Sequence, residues 1–253
     1  MYRPRVIPVL LLKGNILVKS VSFKNHNYIG DPINAVKIFN DLKADELVFL
    51  DIEATKQNRL ISLDFVREVG EEANMPFGVG GGIKILNDIE SIIKAGAERV
   101  IINSAAHDEK FIREACMNFG SSTIAVCIDV KKKLFNGNHA WINGGTKSIS
   151  DSPVDFAKKM EDLGVGEVIV QSIAQDGQMN GYDIELIKEV TSSLTIPVTA
   201  LGGASSPKDL IEAFDKGMAN GLAAGSIFVY HGSNKGVLIN YPERSELQFQ
   251  RSI

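Results

Sequence analysis

Three aspartates carry the proton chemistry that this sequence offers. Asp129 lies near the end of the apolar run Thr123–Val130, and Asp51 closes the run Glu46–Asp51. Asp176 follows Glu167–Ser172, in the loop Gln175-Asp176-Gly177. Carboxylates at strand ends, placed across one pocket, are candidates for general acid and base work. The competing reading is an aspartate that caps the turn or helix after its strand. Asp129 is read as catalytic; for Asp51 and Asp176 both readings stand.

The second chemistry is anion binding. The stretch MPFGVGGGI at 75–83 returns as IPVTALGGA at 196–204, with a constant offset of 121 that carries Pro76 to Pro197, Gly81 to Gly202 and Gly82 to Gly203. Each copy is an apolar strand that breaks into glycines and then feeds a helix, so bared backbone amides form an anion site. Asn103-Ser104 stands beside the first copy, and Gly225-Ser226 beside the second. Gly177 joins the second set, and Lys19 either pairs with a phosphate or is solvated. Two such cradles predict a small ligand with a phosphate at each end.

The third group is charged and sits at the opposite strand ends. Glu46 and Glu167 are related by the same offset and begin their strands, while Arg5 and Arg99 stand at the starts of two others. Alternating charges at strand N-termini would close the floor of a barrel as a salt-bridged ring. The alternative is ordinary surface charge, which contributes little.

These groups need a scaffold that sets one strand end against the other. Candidate strands cover Val6–Leu12, Glu46–Asp51, Phe77–Gly80, Arg99–Asn103, Thr123–Val130, Glu167–Ser172, Val198–Leu201 and Gly221–Ala224. Amphipathic helices alternate with them, among them Pro32–Leu42, Ser62–Glu72, Ile85–Ala95, Glu109–Phe119, Pro153–Leu163, Ile184–Ser193 and Pro207–Lys216. Asp31-Pro32, Ser152-Pro153 and Ser206-Pro207 are helix starts, a cap followed by proline in the first turn. The fold expected is α/β: one (β/α)8 TIM barrel across 1–253, with half-barrels at roughly 1–120 and 121–253. Two long connections, 13–31 and 131–150, leave the face where such barrels keep their chemistry, and are read as lids. The second carries hairpin signals at Asn136-Gly137 and Gly144-Gly145.

Aligning Val130-Lys131 with Leu12-Lys13 sets Asp129 opposite Leu11. The second half offers an acid where the first offers an alkyl chain.

Bulk composition narrows the partners. The 253 residues carry a formal net charge of −4, which argues against a nucleic-acid binder. The first apolar run is too short to span a membrane, and two cysteines, Cys116 and Cys127, give no disulfide framework, so a cytoplasmic protein is expected. His26, His107, His139 and His231 have no ligand spacing, and neither metal nor cofactor is expected. Cys127 shares the face of Asp129 and is read as a small core residue; Trp141 is open between packing and stacking.

From Arg5 to Ser226 the sequence resembles the cyclase subunit of imidazole glycerol phosphate synthase. The shared wording is RVIP, GDP at 30–32, DELVFLDI at 45–52, PFGVGGGI, INSAA at 102–106, IDVK, DGQMNGYD at 176–183 and ALGGA. The resemblance implies a duplicated half-barrel and a substrate with two phosphates. It also implies a glutaminase subunit on the N-terminal face, with ammonia passing a gate of Arg5, Glu46, Arg99 and Glu167; lysine is more usual at position 99. That family works with two aspartates, of which Asp129 matches one and Leu11 replaces the other. The stretch IPVLLLKGN is similar to a paralogue branch found with surface-polysaccharide genes. That branch implies delivery of ammonia to a third, sugar-amidating enzyme.

Overall fold

Runs rich in valine, isoleucine and leucine become strands, and amphipathic runs between them become helices. The computed structural model describes residues 3–133, 137–232 and 234–250. In chain order the first half holds β1 (Arg5–Lys13), β2 (Ile16–Val21), β3 (Lys24–Gly30), α1 (Pro32–Asp41), β4 (Leu47–Asp51) and α2 (Leu63–Glu72). It continues with β5 (Phe77–Gly80), α3 (Leu86–Lys94), β6 (Arg99–Ile102) and α4 (Glu109–Phe119). The second half holds β7 (Ile124–Lys132), β8 (Asn138–Ile142), β9 (Lys147–Ser150), α5 (Pro153–Asp162) and β10 (Glu167–Ser172). It ends with α6 (Ile184–Thr191), β11 (Val198–Leu201), α7 (Pro207–Asp215), β12 (Gly221–Ala224) and the short α8 (Ser226–Val229).

The eight expected strands pair in parallel. The order is β1-β4-β5-β6-β7-β10-β11-β12, and β12 returns to β1 to close the barrel. This is the expected (β/α)8 barrel. Helix starts follow the local chemistry. Asp31 and Ser152 accept the amides of Asn34 and Asp155 ahead of a proline, and at the third start the Asp209 carboxylate accepts the amide and hydroxyl of Ser206. Each cap contributes about 1 kcal/mol.

The two long connections are β-hairpins, which the sequence signalled for the second and not for the first. Residues 16–30 form a β-hairpin whose first strand pairs antiparallel with β1, and residues 138–150 form a second one on β7. The polar sequence of β3, KNHNYIG, hid the first hairpin because most of its side chains face solvent. The turn at Gly144-Gly145 has positive φ at both residues, as its sequence predicts. Asn136, half of the other hairpin signal, lies outside the described residues.

The core has two layers. Phe39, Phe49, Ile92, Ile112 and Phe214 fill the space between sheet and helices. A smaller interior cluster of Ile7, Val9, Val48, Ile101, Cys127, Ile169 and Leu201 fills the barrel axis. Alternation along each strand therefore sends Arg5, Ile7, Val9 and Leu11 inward from β1. It sends Ala125, Cys127 and Asp129 inward from β7, and Glu167, Ile169 and Gln171 from β10.

Candidate active site

At the C-terminal strand ends the barrel opens into a cavity of about 170 Å3. Leu11, Leu50, Ile101, Cys127, Asp129 and Gln171 form its base. One wall is Gly80–Ile83 with Asn103 and Ser104; the hairpins contribute Ser20, Phe23 and His26 from one side, and Asn143 and Gly144 from the other. The expected placement of both connections beside the mouth is therefore observed.

Asp129 is 5 % exposed, and burial pushes its carboxyl up to about 7. The nearby Asn103 amide, which donates to the Cys127 carbonyl at 3.0 Å, opposes that shift, while the charge of Asp176 adds to it. Beside it the Cys127 Sγ stands 3.9 Å from Asp129 Oδ1 and 3.8 Å from Gln171 Oε1. Burial and then Asp129 push this thiol well above its ordinary range, so it is an inert wall rather than a nucleophile.

The other two aspartates are occupied. Asp51 borders the cavity, but its Oδ1 accepts the amides of Glu53 and Ala54 at 3.0 Å each, and Arg59 pairs with the carboxylate. It caps the turn after β4; α2 has its own cap in Ser62. Asp176 lies away from the open cavity. It pairs with Lys19 at 2.9 Å and accepts from the Ser20 hydroxyl at 2.7 Å. Lys19 is buried rather than solvated, which corrects one of its two expected placements, because the first hairpin folds it under the barrel rim.

The two glycine cradles share a geometry and differ in access. Gly81, Gly82, Gly202 and Gly203 all have positive φ. A Cβ on Gly82 would lie 1.9 Å from the Arg59 carbonyl oxygen, and one on Gly203 would lie 2.0 Å from that of Gly181. Only the first cradle, with Asn103 and Ser104, faces the cavity. In the second, a Cβ on Gly177 would strike the Ser20 carbonyl, and one on Gly225 would strike the Lys19 side chain, so the first hairpin packs directly over it. The hydroxyl of Ser226 is buried there without a hydrogen-bond partner among the described residues.

At the other end of the axis the four expected charges form a closed ring. Arg5 pairs with Glu46 and reaches both oxygens of Glu167 at 2.8 Å. Arg99 pairs with Glu167 and approaches Glu46 at 3.5 Å. Burial raises the Glu46 carboxyl, against the pull of Arg5 and Arg99. A narrow axial cavity of about 10 Å3, close to the size that admits one water, lies between this ring and the mouth. It shares Leu50, Ile101 and Cys127 with the mouth cavity.

The model of the family described as "Histidine biosynthesis protein" matches residues 5–235. The chain belongs to this family. It is 43 % identical to the "Putative imidazole glycerol phosphate synthase subunit hisF2" of Pseudomonas aeruginosa, over 98 % of this chain and 99 % of the other. It is 42 % identical to a HisF protein of the same description from Leptospira interrogans, over 97 % and 98 %. It is 38 % identical to the "Imidazole glycerol phosphate synthase subunit HisF" of Alkaliphilus metalliredigens, over 91 % and 92 %. The HisF-like match spans both strand-end constellations, the mouth with Asp129 and the ring at the floor.

Sequence reasoning missed several residues of this HisF-like site. Gln171 was legible only as the third inward position of β10, after Glu167 and Ile169. Thr199, fully buried, donates to Glu167 from β11 and is a fifth member of the ring. Arg59 meets Asp51 from a loop with no local signal. Trp141 stays on its own hairpin, where its indole N–H donates to the Lys131 carbonyl at 3.0 Å and the Lys131 ammonium stands 5.0 Å over its ring. Among the described residues no group of His, Cys, Asp and Glu could hold a metal ion, and no helix is long and apolar enough to cross a membrane.

Proposed function

We propose that this chain is the cyclase-like subunit of a glutamine-dependent pair. A glutaminase subunit docks at the N-terminal face, and ammonia passes the Arg5, Glu46, Arg99 and Glu167 ring into the axis. The mouth binds a small phosphorylated ligand through Gly81, Gly82, Asn103 and Ser104; Gly177, Gly202, Gly203, Gly225, Ser226 and Lys19 belong to the second cradle, which the first hairpin covers. The observation that carries this reading is the alignment of ring, axial cavity and mouth on one line, sharing Leu50, Ile101 and Cys127. The two cysteines are buried and unpaired, in keeping with a reducing cytoplasmic setting.

Leu11 argues against cyclisation by this chain itself. It borders the cavity with Asp129, and a leucine moves no proton. Loss of one general acid or base costs roughly 10²–10⁴-fold. The acceptor proposed is a surface-polysaccharide sugar, amidated by a third enzyme, as the resemblance of IPVLLLKGN to the paralogue branch implies. The test is direct. Purified chain given the bis-phosphorylated formimino-aminoimidazole carboxamide ribulotide and ammonium should make little imidazole glycerol phosphate, and Leu11→Asp should raise the yield.

One observation favours a second reading, a working cyclase of histidine biosynthesis. An Asp129 that titrates at about 7 is poised for both halves of proton transfer near neutral pH. Asp51 and Asp176 are held by Arg59 and Lys19, so water is its best partner among the candidates. Turnover at the ordinary enzyme scale of roughly 1–10³ s⁻¹ without Leu11→Asp would decide for this reading.

A further inference from the structure

The two halves of the barrel differ at one seam on the floor. In the second half the register of β7 and β10 starts at Ala125 and Glu167, and the Gly166 amide before it donates to the Ile124 carbonyl at 3.2 Å. The offset of 121 carries Asp45 to Gly166, and the alignment of Leu12 with Val130 carries Val6 to Ile124. In the first half a side chain takes the place of that direct bond. The Tyr241 hydroxyl stands between the two groups, accepting from the Asp45 amide at 3.1 Å and donating to the Val6 carbonyl at 3.0 Å. The Asp45 carboxylate completes the bridge by accepting the Val6 amide at 2.9 Å. The register of β1 and β4 starts only at Val9 and Val48, and Pro8, just below, has no N–H to give to a ladder.

The C-terminal tail carries Tyr241 to this place, beyond residues 5–235 matched to the family. The Asn240 amide donates to the Phe228 carbonyl at 3.0 Å, and the Tyr241 ring stacks on Phe228 at 5.7 Å. Farther on, Leu247 is buried and Phe249 meets Phe214 at 4.9 Å. Val6 and Asp45 are the chain neighbours of Arg5 and Glu46, which pair across the same seam.

We propose that Tyr241 is a positioning residue of the floor ring, whose hydroxyl closes the seam between β1 and β4 and so fixes the Arg5–Glu46 side. Charged groups hold one geometry only where a supporting shell locks them. On the Glu167 side that shell is the direct β7–β10 ladder and the Thr199 hydroxyl. On the Arg5–Glu46 side it is Tyr241. The consequence for ammonia rests on the reading of the ring as a gate.

The experiment follows the purified full-length chain by NMR with labelled arginine. It measures rotation of the Arg5 and Arg99 guanidinium groups about their Nε–Cζ bonds, together with hydrogen exchange of the Asp45 amide. Tyr241→Phe keeps the ring on Phe228 and removes only the hydroxyl. It should speed Arg5 rotation and Asp45 exchange by about tenfold each, as expected for the loss of a bridging hydrogen bond, with Arg99 within about twofold. Tyr182→Phe is the matched control, since it removes a buried phenol hydroxyl that donates to the Ala223 carbonyl at 2.9 Å. It should leave both guanidinium groups unchanged. An unchanged Arg5 in Tyr241→Phe would overturn the proposal. Equal loosening of Arg5 and Arg99, or the same loosening in Tyr182→Phe, would also overturn it, because Tyr241 would then be a general stabiliser. A loosened Arg5 with an unchanged ratio of ammonia delivered to glutamine hydrolysed, in complex with a glutaminase, would uphold the clamp and sink the gate.

Discussion

The Lys19 ammonium sits 2.9 Å from Asp176 Oδ1, and both side chains are buried, although 157 residues separate them. This pair pins the first hairpin to the loop after β10. Removing one partner of a buried ion pair costs about 3–5 kcal/mol, because the other charge stays out of water. Lys19→Met should therefore lower the urea-denaturation stability by that amount, and Lys19→Met with Asp176→Asn should recover at least half. A loss below about 1 kcal/mol would mean that the pair is screened like a surface contact.

Asp129 makes stability depend on pH in a definite direction. Its folded pKa of about 7 lies above the ordinary 3.8, so the folded chain binds this proton more tightly than the unfolded chain. Its contribution is fully present below about pH 4 and is lost as pH rises through 7. Asp129→Asn removes that loss. The variant should be more stable than the parent at pH 8, by up to about 4 kcal/mol, with the difference vanishing towards pH 4. Equal midpoints at pH 8 would show that the carboxylate is solvated.

The floor ring predicts a different response. Arg5→Met leaves Glu46 and Glu167 to share Arg99, and should cost about 3–5 kcal/mol near neutral pH. The folded pKa of Glu46 is already raised, so its contribution is present at low pH and lost as pH rises past 4.5. Removing Arg5 strengthens that trend, and acidification should restore part of the deficit. In a complex with a glutaminase, the same change should separate glutamine hydrolysis from ammonia delivery. An unchanged ratio of the two would argue against passage through the ring.

The cradles can be tested through their second glycines. Gly82→Ala and Gly203→Ala each add a methyl within 2.0 Å of a backbone oxygen, at a φ that alanine resists. Each should lose more than about 3 kcal/mol, well above the ordinary single-mutant effect. Gly14→Ala also sits at positive φ but has open space around it, and should lose only about 1–2 kcal/mol. Thermal melts of the three variants give the comparison.

How much of this was legible in the chain depends on the range of the interaction concerned. Strand and helix positions, the caps at Asp31, Ser152 and Ser206, and the two-fold repeat follow from alternation, turn chemistry and a fixed offset, all of which are local. Alternation also sent Asp129 to the mouth and set Glu46 and Glu167 at the floor. Tertiary structure alone decided what each charge touches. Asp51 was paired with Arg59, Asp176 with Lys19, and Thr199 with Glu167, across separations that no local pattern encodes. It also decided that the first cradle stays open while the first hairpin covers the second. The reason is that a carboxylate's role is set by what has been brought within hydrogen-bond reach of it and by how much water remains, and both are fixed only when the barrel closes.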